Sequence, residues 1–363
     1  MPLFPRSPSR GAVPLHNSAC PWASSAEDLR ALWECPYTSA VTTRTTTLHG
    51  FEDDSTKHQV VFFGSEANSS ANSYGYSPYP LSTYLSWLRP LVDGAAPAQR
   101  SVPRAQRTKK QLIVSITGTL AETREMLVEL QAFADEHGVT LAAELNASCP
   151  NIKGHPPPAY FEKDLAEYLE LLAEHASPTL KVGVKLPPYT YDEQFTAVVR
   201  ALSSVRSPPS FPADEHPISF LTTTNTLGQG LVFTPQIVDA PLPGSGAQSQ
   251  AMKDAALEVH ALPGGWGGLA GAAVHQTSLG NIYRLSLLLR GSAPAGGPSS
   301  LGAPTDARLA SVTLIGVGGA SDAAGVERFR LAGADAVACA TALGREGVSV
   351  FERMSGEVTA AKL

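Results

Sequence analysis

Cysteine is scarce in this chain. Only 4 of 363 residues are Cys, and Cys20, Cys35, Cys149 and Cys339 make no CxxC pair, which argues against a disulfide framework, a zinc site or an iron–sulfur cluster built from this chain alone. Long apolar runs are missing as well. Nothing approaches the roughly 18 consecutive apolar residues of a membrane-spanning helix, so no membrane association is expected. A positive excess is also absent: Lys+Arg 27 against Asp+Glu 33 leaves −6, which offers no footprint for nucleic acid. The opening MPLFPRSPSRG has no apolar core like that of a secretory leader, and a cytoplasmic location is expected. No GxGxxG follows the first strand, which counts against a dinucleotide-binding sheet.

What is present is a repeat of strand and helix. Apolar runs bounded by Pro, Gly and Asn predict strands at Val13–Leu15, Tyr37–Thr43, Gln59–Phe63, Leu112–Thr117, Thr140–Asn146, Leu180–Leu186, Ile218–Thr223, Val312–Gly316 and Asp335–Ala340. Helices are expected after Ser25, over Leu81–Leu88, Leu120–His137, around Leu165–Leu172, and over Asp192–Leu202, Gln276–Arg290, Ser321–Leu331 and Gly344–Met354. Residues 251–262 have helical character. About eight strands alternating with helices over this length predict an α/β fold, a (β/α)8 TIM barrel with surface-loop insertions. Residues 1–12 read as a flexible N-terminal tail, and 13–363 as one barrel. Segments 94–110, 237–262 and 291–310 read as insertions, the last of low complexity.

Chemistry concentrates at strand ends. The strand ending at Asn146 breaks into Ala147-Ser148-Cys149-Pro150-Asn151, and Pro150 with Pro156–Pro158 forces a loop. A polar loop at a strand's C-terminal end is where barrels place their active sites. Asn72, Asn225 and Thr226 stand at comparable positions. Lys185 lies within the apolar strand Val182–Leu186, where burial is costly unless it meets an anion or carbonyl. Gly316-Val317-Gly318-Gly319 and Ala340-Thr341 precede the last two helices and look like a phosphate grip. The set is cationic and amide-rich without paired carboxylates. That disfavours glycoside hydrolysis and metal-dependent hydrolysis, and no metal is expected.

Residues 72–76 (NSYGY), 144–154 (ELNASCPNIKG), 184–195 (VKLPPYTYDEQF), 222–232 (TTTNTLGQGLV), 314–329 (LIGVGGASDAAGVERF) and 338–347 (ACATALGREG) together resemble the dihydroorotate dehydrogenase family, class 1A, the fumarate-type cytosolic flavoenzymes. The resemblance implies FMN as cofactor and oxidation of (S)-dihydroorotate to orotate in pyrimidine (UMP) biosynthesis, with fumarate as the acceptor and a homodimer as the assembly. It implies Cys149 as the base removing the C5 proton while hydride passes from C6 to flavin N5. Substrate contacts would fall on Arg44, Asn72, Tyr74, Gly75, Tyr76, Asn146, Asn151 and Asn225. Cofactor contacts would fall on Ala19, Arg44, Asn146, Lys185, Thr226, Gly271, Gly318, Gly319, Ala340 and Thr341.

The chain departs from the family pattern at several points. Arg44 stands for a lysine, His275-Gln276-Thr277-Ser278-Leu279 for KPTAL, Ala19-Cys20-Pro21 for Ala-Ser-Gly, and Tyr74 and Tyr76 for smaller residues. These departures keep alternatives open: a related FMN barrel acting on another dihydropyrimidine or an enoate, a silent paralogue used as a binding protein, or a class 1B subunit with an iron–sulfur partner. A thiol has an ordinary pKa of about 8.5, so turnover through Cys149 is expected to rise with pH.

Overall fold

A computed structural model describes residues 2–4, 13–93, 110–149, 156–209, 211–238, 259–291 and 306–356. The chain opens with β1 (Leu15–Asn17), α1 (Ala26–Glu34) and β2 (Ala40–Thr42). Next come β3 (Val60–Phe63), β4 (Ser69–Asn72) and α2 (Leu81–Val92). β5 (Gln111–Ile116), α3 (Leu120–His137), β6 (Leu141–Asn146), α4 (Glu162–His175), β7 (Leu180–Leu186) and α5 (Asp192–Ser204) then alternate strictly. β8 (Ile218–Thr223) leads through β9 (Leu227–Leu231) and β10 (Trp266–Gly271) to α6 (His275–Arg290). The last elements are β11 (Thr313–Val317), α7 (Ala323–Ala332), β12 (Ala336–Cys339), α8 (Thr341–Glu346) and α9 (Val350–Ser355).

Eight of these strands are parallel neighbours in the order β1-β12-β11-β8-β7-β6-β5-β2, the expected (β/α)8 barrel. The seam between β1 and β2 is closed by a side chain. Asn17 Nδ2 donates to the Thr42 carbonyl at 2.6 Å while its Oδ1 accepts from Thr42 N at 2.9 Å, so one carboxamide imitates a ladder pair. The main apolar core lies between the strands and the helix ring, and a smaller one fills the barrel from Ala40, Ile113, Ala142, Phe220, Ile315 and Ala336. Phe220 crosses the barrel above Gly183, where an added Cβ would lie 2.5 Å from its ring. Leu3 and Phe4, in the segment expected to be a tail, are buried in that inner core, and Leu3 N donates to Thr313 Oγ1 at 3.0 Å.

A second, antiparallel sheet, β3-β4-β10-β9, was not expected beyond its first strand. β4 pairs on one side with β3 and on the other with β10, setting Asn72 opposite both Val60 and Gly268. Its sequence, SSAN, and that of β10, WGGLAG, carry no apolar alternation, so period-2 reading finds neither. Three boundaries also differ from expectation. α7 begins at Ala323, two residues later than expected, capped by Asp322, whose Oδ1 accepts from Gly325 N at 2.7 Å. The final helix is two short ones, parted by a 3-10 turn at Gly347, whose φ of +67° ends α8. Within 259–262 there is no helix; His260 instead bridges to Phe233. Asn151, and most of the 94–110, 237–262 and 291–310 insertions, lie outside the described residues.

α3 matches expectation at both ends. Thr119 Oγ1 accepts from Glu122 N at 3.3 Å, Glu122 Oε2 accepts from Thr119 N at 2.8 Å, and Gly138 closes the helix in the left-handed region. Thr119→Ala should lower stability by about 1 kcal/mol at neutral pH. The Glu122 carboxyl is held below its usual value, chiefly by the Thr119 backbone N–H. A depressed folded-state pKa contributes stability above the unfolded value and loses it as pH falls through the folded value, so the cost of the substitution should shrink in acid. Urea midpoints of parent and variant at neutral and acid pH check both parts.

Candidate active site

The C-terminal ends of the barrel strands open into a cavity of about 670 Å³, roofed by the second sheet. Every described residue predicted for the site lines it. At one end are Asn72, Tyr74, Gly75, Tyr76, Asn146, Cys149 and Asn225. Ala19, Arg44, Lys185 and Thr226 stand along its length, and Gly271, Gly318, Gly319, Ala340 and Thr341 at the other end. Residues from seven barrel strand ends and from the second sheet thus meet in one space, although up to roughly 300 positions separate them in sequence.

The amide end is a connected network. Asn146 Nδ2 donates to Thr45 Oγ1 at 3.0 Å, and its Oδ1 accepts from Ser148 Oγ at 3.0 Å and from Asn225 Nδ2 at 3.2 Å. Asn225 Nδ2 also reaches Ser148 Oγ at 3.0 Å. Ser148 and Thr45 were not singled out in the sequence, though Ser148 lies within the same loop motif. On the sheet above, Asn72 Nδ2 donates to the Gly268 carbonyl at 3.3 Å. These partners fix the carboxamide orientations, so what remains of their donor and acceptor capacity faces the cavity in a set direction.

Lys185 is 4% exposed on β7, and its ammonium donates to Ser18 Oγ at 3.0 Å and to the Ala19 carbonyl at 3.4 Å. Below it lies Glu144, two positions before Asn146 on the inward face of β6 and absent from the predicted set. Period-2 alternation along β6 was the signal that marks it as inward. Its Oε2 accepts from Thr222 Oγ1 at 2.6 Å; burial raises its carboxyl pKa, and Lys185 opposes that rise. His16 is pushed down to about 4, mainly by burial.

The cysteines divide by environment, and none of them is in a disulfide. Burial pushes Cys20 up to about 12 and raises Cys339 too, so both stay thiols although both line the cavity. Cys35 is buried with its Sγ 3.9 Å from the Val348 carbonyl. Cys149 alone is half-exposed at the amide end. Tyr76, whose phenol is raised by burial and then by Cys149, shares that end. Arg44 is 7% exposed, its guanidinium lies 5.1 Å from the Tyr74 ring centroid, and its buried Nη2 has no hydrogen-bond partner among the described residues.

The opposite end is a glycine cradle. A Cβ on Gly318 would lie 2.1 Å from Ser278 Oγ, and one on Gly319 2.8 Å from the Gly271 carbonyl. With φ of +131° and +79°, these two glycines turn backbone towards the cavity as no larger residue could. Ser70 Oγ, from the second sheet, lies 2.9 Å from Thr341 Oγ1 and ties the roof to this end. A glycine-built cradle and a buried Arg44 Nη2 with no hydrogen-bond partner among the described residues both fit a phosphorylated flavin.

Among the described residues there is no cluster able to hold a metal ion and no helix long and apolar enough to cross a membrane. No family model matches the chain. A Trypanosoma cruzi protein named dihydroorotate dehydrogenase (fumarate) is 27% identical over 351 residues, covering 96% of this chain and 88% of that one. A Lactococcus lactis protein named dihydroorotate dehydrogenase A (fumarate) is 27% identical over 249 residues, 68% of this chain and 62% of that one. With an eight-stranded parallel barrel beneath those matches, the chain is similar, over most of its length, to proteins named dihydroorotate dehydrogenase (fumarate).

Proposed function

We propose that the protein is an FMN-dependent dihydroorotate dehydrogenase, oxidising (S)-dihydroorotate to orotate on the path to UMP, with fumarate as electron acceptor. The observation carrying this reading is that one cavity is lined together by the glycine cradle, the buried Lys185, the carboxamide network and Cys149. When bound, FMN would supply the acceptor for the hydride leaving C6. Its phosphate would lie at Gly271, Gly318, Gly319, Ala340 and Thr341, with Arg44, Lys185 and Thr226 along its ring. Asn72, Asn146, Asn225 and Asn151 would orient the substrate ring, and the backbone of Tyr74, Gly75 and Tyr76 would close over its carboxylate. Cys149 would take the proton from C5, serving as general base on the exposed side of the network.

A soluble cytoplasmic homodimer is the assembly and location that go with this reading. A second reading, turnover of another dihydropyrimidine or an enoate on the same scaffold, is favoured by the contact between Arg44 and Tyr74 at the substrate end. Purified protein should be yellow and release FMN, not FAD, on denaturation, because the Gly271, Gly318–Gly319 and Ala340–Thr341 segments converge on one phosphate-sized cradle. L-dihydroorotate should then be oxidised with fumarate in preference to NAD⁺ or a quinone. A colourless protein that takes up no FMN would overturn the proposal, and a yellow one inert to dihydroorotate would favour the second reading.

A further inference from the structure

The residue beneath the glycine cradle is a histidine held in one tautomer. His275 opens α6, is 6% exposed, and sits under the Gly318–Gly319 turn. Its Nδ1 lies 2.7 Å from the Gly318 carbonyl, which can only accept, so Nδ1 carries the proton. Its Nε2 receives the Arg328 Nε–H at 2.9 Å, so Nε2 carries none. A Cβ on Gly319 would come within 2.9 Å of the His275 Cβ, so ring and turn are in direct contact. One helical turn on, Ser278 packs against Gly318 and its Oγ lies 2.8 Å from Thr224 Oγ1.

We infer that His275, as a neutral imidazole bridging Arg328 and the Gly318 carbonyl, is a positioning residue that sets the phosphate turn and makes FMN affinity depend on its protonation. The inference rests on the flavin reading above. A second proton would put an N–H on Nε2 against the Arg328 N–H, donor facing donor and cation facing cation. Of the charged groups that bear on the ring, Arg328 opposes that proton and Asp322 favours it; Phe329, packed edge-on at 5.4 Å, carries no charge. Burial and Arg328 hold the imidazole below its ordinary value, so it is neutral at pH 7 and loses the bridge only in acid. Unlike the cradle glycines, His275 does not line the cavity, so it acts through the turn and not on the ligand.

The test strips flavin from the full chain and titrates FMN and riboflavin, following quenching of flavin fluorescence from about pH 5 to about pH 8. The phosphate of FMN itself titrates near pH 6, so an acid decline in the parent alone decides nothing; the variants do. His275→Gln offers one donor and one acceptor at every pH. It should bind FMN like the parent at neutral pH but decline less steeply in acid. His275→Leu should bind FMN about tenfold more weakly at neutral pH, with riboflavin affinity unchanged. A Gln variant as acid-sensitive as the parent, or equal losses of FMN and riboflavin in the Leu variant, would overturn the inference. A parent that binds neither flavin would instead remove the flavin reading, and this inference with it.

Discussion

Cys149→Ser should keep FMN and orotate bound yet slow reduction of the flavin by dihydroorotate by about 10²–10⁴-fold at neutral pH, the usual cost of losing a general base. A hydroxyl is a much weaker acid than a thiol, so serine in this loop is a poor proton acceptor. The other cysteines supply the contrast. Cys20 and Cys339 also line the cavity, but burial keeps both protonated, and Cys35 faces the Val348 carbonyl away from the site. Serine at these three positions should change the rate far less. Anaerobic stopped-flow reduction from about pH 6 to about pH 10 should give the parent a rate that rises with pH, a limb that the Cys149→Ser variant lacks. Equal rates in parent and variant would place the base elsewhere.

Lys185→Ala should slow flavin reduction by about 10²–10³-fold, the typical effect of removing one preorganised group that stabilises developing charge. Its ammonium is buried, held by Ser18 and the Ala19 carbonyl, and sits on the cavity wall. The same charge bears on three buried groups: it lowers His16, Cys20 and Glu144. A consequence for stability follows through Glu144. Burial already places its folded pKa above the ordinary value, so the native state holds a proton the unfolded chain releases as pH rises. Such a group loses stability as pH climbs from the unfolded towards the folded value. Removing Lys185 takes away the opposing influence and raises the folded value further, so the variant should lose stability relative to the parent once pH passes the parent's own raised Glu144 value. Lys185→Met, which keeps most of the volume, separates the charge from the packing. Unchanged reduction rates in both variants would reduce Lys185 to a buried structural cation.

The barrel was legible because its strands are apolar on both faces and end at abrupt chemistry. β7 stops at Pro187-Pro188, β6 at Asn146, and α3 is bracketed by Thr119 and Gly138. The site was legible because its groups sit at those ends, and a parallel barrel brings all such ends to one face. The roof was not. β4 and β10 lack alternation, and they pair across nearly two hundred positions, Asn72 with Gly268. Such strands are stabilised by a partner and not by their own composition.

From the residues alone came the fold class, the order of the elements and the polar groups that gather at the cavity, since strand period, helix caps and loop breakers act within a few residues. Tertiary structure alone decided which of four cysteines is half-exposed, that Glu144 lies buried beneath Lys185, and that Leu3 and Phe4 enter the barrel. It also decided that His275 meets Arg328 and Gly318. Each of these depends on burial or on contact between distant segments, and burial is what sets the cost of a charge and the direction of a proton.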